Sequence, residues 1–383
     1  MTQQGVRWSA DRVPTPAPDA ASRSADGGFG ERADERTAEE RKTEERAGRK
    51  RDSGAPADPE AARRRAERRE QRVTAGVTEL EQRLADLLRG GLASAEQAGY
   101  TLWEETAARM IDAQAPGLAA KVRELGAIPA SGSDWPTRLL EECALLHLLG
   151  QGWLHRDQLP DALAATVRSR LGLPASADGP PLRDRWLVLA QYDTADPKLT
   201  TRRIWLHGTG SGRTRLLLSY GAAGRAPELS LPVGHTLEAD LTGYPGAGQL
   251  RAALGERYAP PTPATVRPDG LTTAQAAARY GDALREDPWL DTVPVILAGV
   301  VPVPDERPGS WQLADAEADP KTDPASATAL PLTPTCLTRP GLWRLIALSG
   351  GAPLTVFGEL GHRGFTPLTA WPAHHPGTPV TLH

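Results

Sequence analysis

Cysteine, lysine, methionine and phenylalanine are all scarce in this chain. Of its 383 residues, two are Cys, two Met and three Phe, and aromatics make up 5%. Cys143 and Cys336 alone exclude a disulfide framework and a four-cysteine metal site. No run of about 18 apolar residues occurs, and the opening MTQQGVRWSADRV has no hydrophobic signal core. The expectation is a soluble, cytoplasmic protein. Lysine is outnumbered by arginine, 5 against 39, in a chain also rich in Ala, Gly and Pro. That looks like compositional bias, so arginine density is a weak guide to phosphate binding. A net charge of −4 and a pI near 6.1 advertise neither nucleic acid nor a membrane by bulk electrostatics. The length suggests two or three folding units, because single cores stop growing at roughly 250–300 residues.

What is present falls into three zones: a charged flexible arm over 1–72, a helical domain over 73–175 and a β-rich domain over 183–383. The arm alternates Glu and Arg without an apolar stripe. Ordering costs about 1–2 kcal/mol per residue, so disorder or a flickering solvated helix is expected there. Arg63-Arg64-Arg65 and Arg68-Arg69 suit phosphates, but interleaved Glu cancels much of their field. From Val73 a helical period begins, with Val77, Leu80, Leu84, Leu87 and Leu88 on one face. Ser94 and Gln97 have capping-box spacing ahead of a second helix. The stretch 139–149, LLEECALLHLL, is apolar nearly all round and reads as the central helix of a bundle. Beyond 181, short apolar runs alternate with turns. Residues 203–207 and 214–219 predict a hairpin around Gly208-Thr-Gly-Ser-Gly212, and residues 342–348 and 354–360 a second one around Ser349–Pro353. Helices are expected near 248–258 and over 272–285, where Thr272 and Gln275 repeat the capping box, and a surface loop over 304–335. The fold class is therefore α+β.

Few residues assemble a reactive set. GTGSGRT at 208–214 lacks the glycine spacing and the lysine of a phosphate loop, with Arg213 in the lysine's place. Alternating apolar flanks make it a hairpin turn, and no helix follows for a dinucleotide fingerprint. No G-x-S-x-G elbow exists. Cys143 and His147 are four apart on a helix, but flanking leucines place both inside the bundle as structural residues. His374, His375 and His383 sit in a Pro-rich tail, and Asp193 and Asp196 suit turn chemistry. Glu141 and Glu142 are adjacent on a helix, hence about 100° apart, and do not share a site. Trp186, Trp205, Trp289, Trp311, Trp343 and Trp371 fall on or beside strands and helix ends. Packing explains most of them, and an exposed subset would form an interaction surface. No catalytic, cofactor-binding or metal residue is assigned.

Several phrases resemble one family. The opening Gly5-Val-Arg-Trp8-Ser-Ala-Asp11-Arg-Val13, with Ala17-Pro-Asp19 and Ser22, looks like the start of bacterial SWIM zinc-finger family proteins. The helix 139–149 ending GQGWL, the Trp205 hairpin, LSYGAAG at 218–224, GHTLEADLTGYPGA at 234–247, DPWL at 287–290 with VPVILAGVVPV, and LWRLIALSGG at 342–351 are similar to the region those proteins carry after the finger. The finger itself is C-x-C followed by C-x-H, four ligands around tetrahedral zinc. No cysteine precedes Cys143, so no ligand position carries over and the chain reads as a finger-less form.

The leading functional expectation is a non-enzymatic binding or adaptor protein without a cofactor. The resemblance implies an AAA-type ATPase or von Willebrand-type protein as its partner. Nucleic-acid binding through the Arg-rich arm is a second expectation, and an enzyme using Asp193, Asp196 or His207 near the 204–219 hairpin is a third.

Overall fold

The computed structural model describes residues 58–383, apart from 133, 197–198, 247, 249, 317–328 and 376; side chains are left out also at 59, 94 and 96–100. The expectations for residues 1–57 lie outside that range. The element order confirms a mixed α+β chain, helical to residue 170 and β-rich beyond.

Among the described residues five α-helices come first: α1 (Pro59–Gly90), α2 (Ala93–Asp112), α3 (Pro116–Ala127), α4 (Trp135–Leu154) and α5 (Asp161–Arg170). Helix α1 begins at Pro59, fourteen residues before the apolar period starts at Val73. Of the two states expected there, disorder or a solvated helix, residues 59–72 show the helix, with 63–69 exposed, and polar contacts hold its last part. Glu70 pairs with Arg156 and Arg168, and Arg69 donates to Gln114. Val73, Val77, Leu80 and Leu84 then bury, while Leu88 points outward, 47% exposed. Helix α2 starts at Ala93 with Leu92 before it, so the Ser94 position falls inside the helix; the side chains of Ser94 and Gln97 are among those not described. The core gathers Trp103, Met110, Leu118, Leu139 and Trp153 among others.

The first sheet is a closed barrel. β1 (Leu182–Ala195), β2 (Leu199–Gly208), β3 (Thr214–Ala222), β5 (Arg251–Arg257) and β4 (His235–Gly243) pair in that order, and β4 returns to β1. β6 (Thr262–Pro263) adds to β4. Strand alternation sends Trp186, Val188, Ile204, Leu206, Leu217 and Leu237 into the barrel. Their neighbours Leu187, Leu189, Trp205 and Leu216 face outward onto the second sheet. Burial on both faces explains why the β1 and β2 runs read as continuously apolar. The expected helix near 248–258 is instead strand β5. Its alanines favour a helix locally, but pairing with β3 and β4 puts Ala252 and Leu254 in the barrel, and tertiary context prevails.

The second sheet runs β12-β11-β10-β7-β8-β9, with β7 (Thr292–Pro304), β8 (Trp311–Asp315), β9 (Ala329–Pro331), β10 (Leu354–Gly361), β11 (Gly364–Pro372) and β12 (Val380–Thr381). One face meets the barrel through Ile296, Phe357, Leu368 and Trp371. The other is covered by α6 (Thr273–Glu286), α7 (Pro334–Leu337) and α8 (Pro340–Ser349), burying Ala276, Cys336, Leu342 and Leu345. The capping box of α6 forms as expected, Thr272 with Gln275. The expected second hairpin does not form: its first arm is helix α8. Pro340 starts it, Leu342, Leu345 and Ser349 bury at helical spacing, and Gly350 ends it at φ 50°. The loop expected over 304–335 contains β8 and β9.

Candidate functional site

Helix α4 turns Leu139, Cys143, Leu146, Leu149, Gly150 and Trp153 into the bundle core. It is not fully enclosed, contrary to its nearly uniform apolar sequence. Leu140, Leu145 and Leu148 are 47%, 38% and 44% exposed, and Glu141 and Ala144 are exposed with them. At 100° per residue these five fall within one sector of the helix, spanning about 12 Å along its axis. The helix is central in sequence character but one-sided in packing.

The C-terminal end of that helix is where the β-rich part takes hold. Trp289 is half-buried against the bundle core, and its indole N–H donates to the Leu145 carbonyl at 3.0 Å. Gly152 makes room for it: a Cβ there would lie 3.4 Å from the indole and 3.2 Å from Val167. Asp287 aims this tryptophan. One carboxylate oxygen accepts the Trp289 backbone N–H at 3.1 Å, and the other accepts from Arg170 of α5 at 2.7 Å. Asp287 is buried, 8% exposed. The DPWL segment is thus a clamp between bundle and β-rich part. The resemblance drew attention to it, but its sequence alone gave no sign of that role.

Cys143 and His147 diverge. Cys143 is buried, and burial with nearby Glu142 pushes its thiol up to about 11. His147, expected inside the bundle, is exposed, with Nδ1 2.5 Å from Glu81 Oε2. The same oxygen accepts from Gln151 at 2.9 Å, so Glu81 ties α1 to α4. Burial raises the Cys336 thiol as well.

The glycine loop is a hairpin turn, as its flanks required. Its backbone N–H groups are already engaged by a carboxylate: Asp184 accepts from Gly210 at 3.0 Å and Ser211 at 2.8 Å, and from Arg185 N–H at 2.7 Å. Burial pushes the Asp184 carboxyl up, but hydrogen bonds from Ser211, Gly210 and Arg185 outweigh it and hold it below the usual range.

The hairpin residues proposed for an enzyme do not converge. Asp193 forms a two-oxygen pair with Arg202 at 2.7 and 2.8 Å, which lowers its carboxyl. Asp196 accepts from the Leu199 N–H in the turn. His207 lies at the opposite end, opposite Leu187, about 20 Å along β1 from Asp193. It lines a cleft of ≈ 440 Å³ with Arg185, Glu238 and Asp269, and burial lowers its pKa against the pull of Asp184 and Asp269. His374 and His375 are exposed, while the His383 ring stands 5.7 Å from Tyr192. Tyr192 and Trp205 both donate to Glu359 Oε1 at 2.9 Å, joining barrel to second sheet, and burial with Glu359 pushes the Tyr192 hydroxyl to about 12. Among the described residues no group of three or more His, Cys, Asp or Glu is arranged to hold a metal ion. None of their helices is long and apolar enough to cross a membrane.

Tryptophan burial divides as expected. Trp186, Trp205 and Trp371 are core, whereas Trp343 is 63% exposed, edge-on to Trp311. Of the arm arginines, Arg64 pairs with Glu60 within the helix.

The described chain is a helical bundle docked on a barrel-and-sheet unit, with an apolar face of α4 left outward. Residues 68–171 match the model of the SWIM-associated four-helix bundle domain, which is consistent with a SWIM-family protein. Neither the curated proteins nor the solved structures include a match to the chain.

Proposed function

We propose that this chain is a non-enzymatic adaptor acting in the cytoplasm, and that its bundle receives an amphipathic helix of a protein partner. The outward leucine face of α4 carries this reading. Leu140, Leu145 and Leu148 offer the spacing into which an apolar helical stripe packs. Glu141 lies within the same sector, and Glu142, Glu124 and Asp291 surround Lys121 close by. The local balance is acidic, so the complementary helix carries Lys or Arg beside its apolar stripe. The resemblance supports an AAA-type ATPase or von Willebrand-type protein as that partner.

The test is affinity capture with the wild-type chain, L145E/L148E and E141K, followed by reconstitution with the purified recovered protein. Surface changes of this kind shift stability by only about 0.5 kcal/mol, so folding is kept. The expected result is one stoichiometric partner, lost with L145E/L148E and weakened by E141K. Recovery indifferent to both variants overturns the proposal. So does light scattering that shows the leucines joining two copies of this chain.

A further inference from the structure

Arg215 faces the barrel interior. It stands opposite Leu206 in the β2–β3 register and alternates with Leu217, both interior residues. As the second residue of β3 it places a guanidinium in the barrel mouth, where the residue is only 7% exposed. Its one hydrogen bond goes to the adjacent Thr214 carbonyl at 3.2 Å. No carboxylate among the described residues pairs with it; the charge that acts on it is that of Arg213, which adds to burial in lowering its pKa. A buried arginine stays charged, and an uncompensated charge in the interior is expensive.

The mouth opens into a cavity of ≈ 750 Å³, lined also by Arg213, Arg279, Arg285, Leu163 and Leu250. Arg285 is engaged with Asp282, and among the described residues Glu286 is the one acid on the wall. Arg213 and Arg279 have no carboxylate within ion-pair reach among the described residues. An adjoining chamber of ≈ 510 Å³ is walled by Leu250, Leu271, Leu290 and Val293 and by Asp282, Glu286 and Asp287. Asp282 and Asp287 are taken by Arg285 and Arg170, which leaves Glu286 as the acid nearest the arginines. Barrel mouths of this volume are characteristic ligand sites.

We propose that this cleft binds a small, soluble phosphate monoester, its phosphoryl group held by Arg215, Arg213 and Arg279 and its apolar body along Leu163 and Leu250. Three guanidinium groups without counter-ions suit a dianion with several acceptor oxygens better than a single carboxylate. The site is separate from the α4 face and stands whether or not that reading holds.

The experiment is isothermal titration of the full chain at fixed ionic strength with phenyl phosphate, phenylacetate and vesicles containing phosphatidic acid. Saturable one-to-one binding of phenyl phosphate is expected, with phenylacetate weaker by about tenfold or more. R213Q/R279Q changes two exposed positions and is expected to weaken phenyl phosphate by about tenfold while the ligand-free unfolding midpoint holds. R215M is expected to abolish binding yet keep or raise that midpoint, since a buried unpaired charge is removed. No saturable binding of phenyl phosphate overturns the proposal, as does equal binding by R213Q/R279Q. Binding to phosphatidic-acid vesicles alone overturns the soluble-ligand assignment. A lowered R215M midpoint with R213Q/R279Q binding unchanged would make Arg215 a structural residue and sink the site.

Discussion

The pair between Arg170 and Asp287 is the most direct test of how the bundle is held to the β-rich part. Asp287→Asn keeps an oxygen for the Trp289 N–H but replaces the oxygen facing Arg170 by a neutral group. Removing one partner of a fully buried pair costs about 3–5 kcal/mol. Here the Asp287 side chain is 11% exposed but that of Arg170 is 27%, so water recovers part of the guanidinium's solvation. About 2 kcal/mol is therefore expected for D287N, in keeping with a charge-assisted hydrogen bond. R170M keeps much of the aliphatic stem and removes the charge. In the double variant the lone charge is gone, so a double-mutant cycle isolates a coupling of about 1.5 kcal/mol. Urea unfolding followed by tryptophan fluorescence measures each corner, and 0.5 M salt should leave the coupling largely intact because the pair is shielded. A coupling below about 0.5 kcal/mol would refute the argument and reduce the pair to an ordinary surface contact.

Four further outcomes follow from the same geometry. Trp289→Ala removes a half-buried indole from the Gly152 groove and should cost about 2–3 kcal/mol, read by denaturant midpoint and by faster amide exchange near Leu145. Asp184 titrates below the ordinary carboxyl value, so its contribution is complete above about pH 4 and lost as pH falls through the lowered value. The melting-temperature gap between wild type and D184N should accordingly be open at neutral pH and close in acid. Both thiols are buried and raised, so a disulfide-exchange reagent should modify neither quickly in the native protein and both after unfolding. Gly341→Ala would drive a methyl into the Leu382 carbonyl, and a loss of about 3 kcal/mol in unfolding free energy is expected.

Where the sequence was legible, one local rule and the tertiary environment agreed. The Thr272–Gln275 capping box, the glycine hairpin and the buried tryptophans of β1 and β2 are such cases. Where they disagreed, the environment prevailed. Alanine-rich 251–257 became a strand because a barrel needed closing, and an apolar run ending in two glycines became helix α8 because its buried positions follow helical spacing. Over 59–72 the sequence left disorder and a solvated helix both open, because the partners that hold its end, Gln114, Arg156 and Arg168, are distant in sequence and polar, which periodicity does not register. The leucines of α4 were legible as apolar but not as outward, since a uniformly apolar helix carries no signal of which side lacks a neighbour.

Arg215 was hidden for a different reason. Arginine is so abundant in this chain that any single one invites dismissal as composition. The discriminating signal is positional: a charged residue in strict alternation with Leu217, on a strand buried on both faces, has no solvent side to point toward. Such a residue needs an acid, a path to water or an anion from outside. Among the described residues no acid pairs with it, and the path leads into a cavity walled by more arginines. The same reasoning separates it from Arg202, which is also largely buried but is matched by both oxygens of Asp193 and by the Pro227 and Leu229 carbonyls. Two arginines near one barrel, one fully answered and one not, make the unanswered one a statement about what the barrel mouth receives.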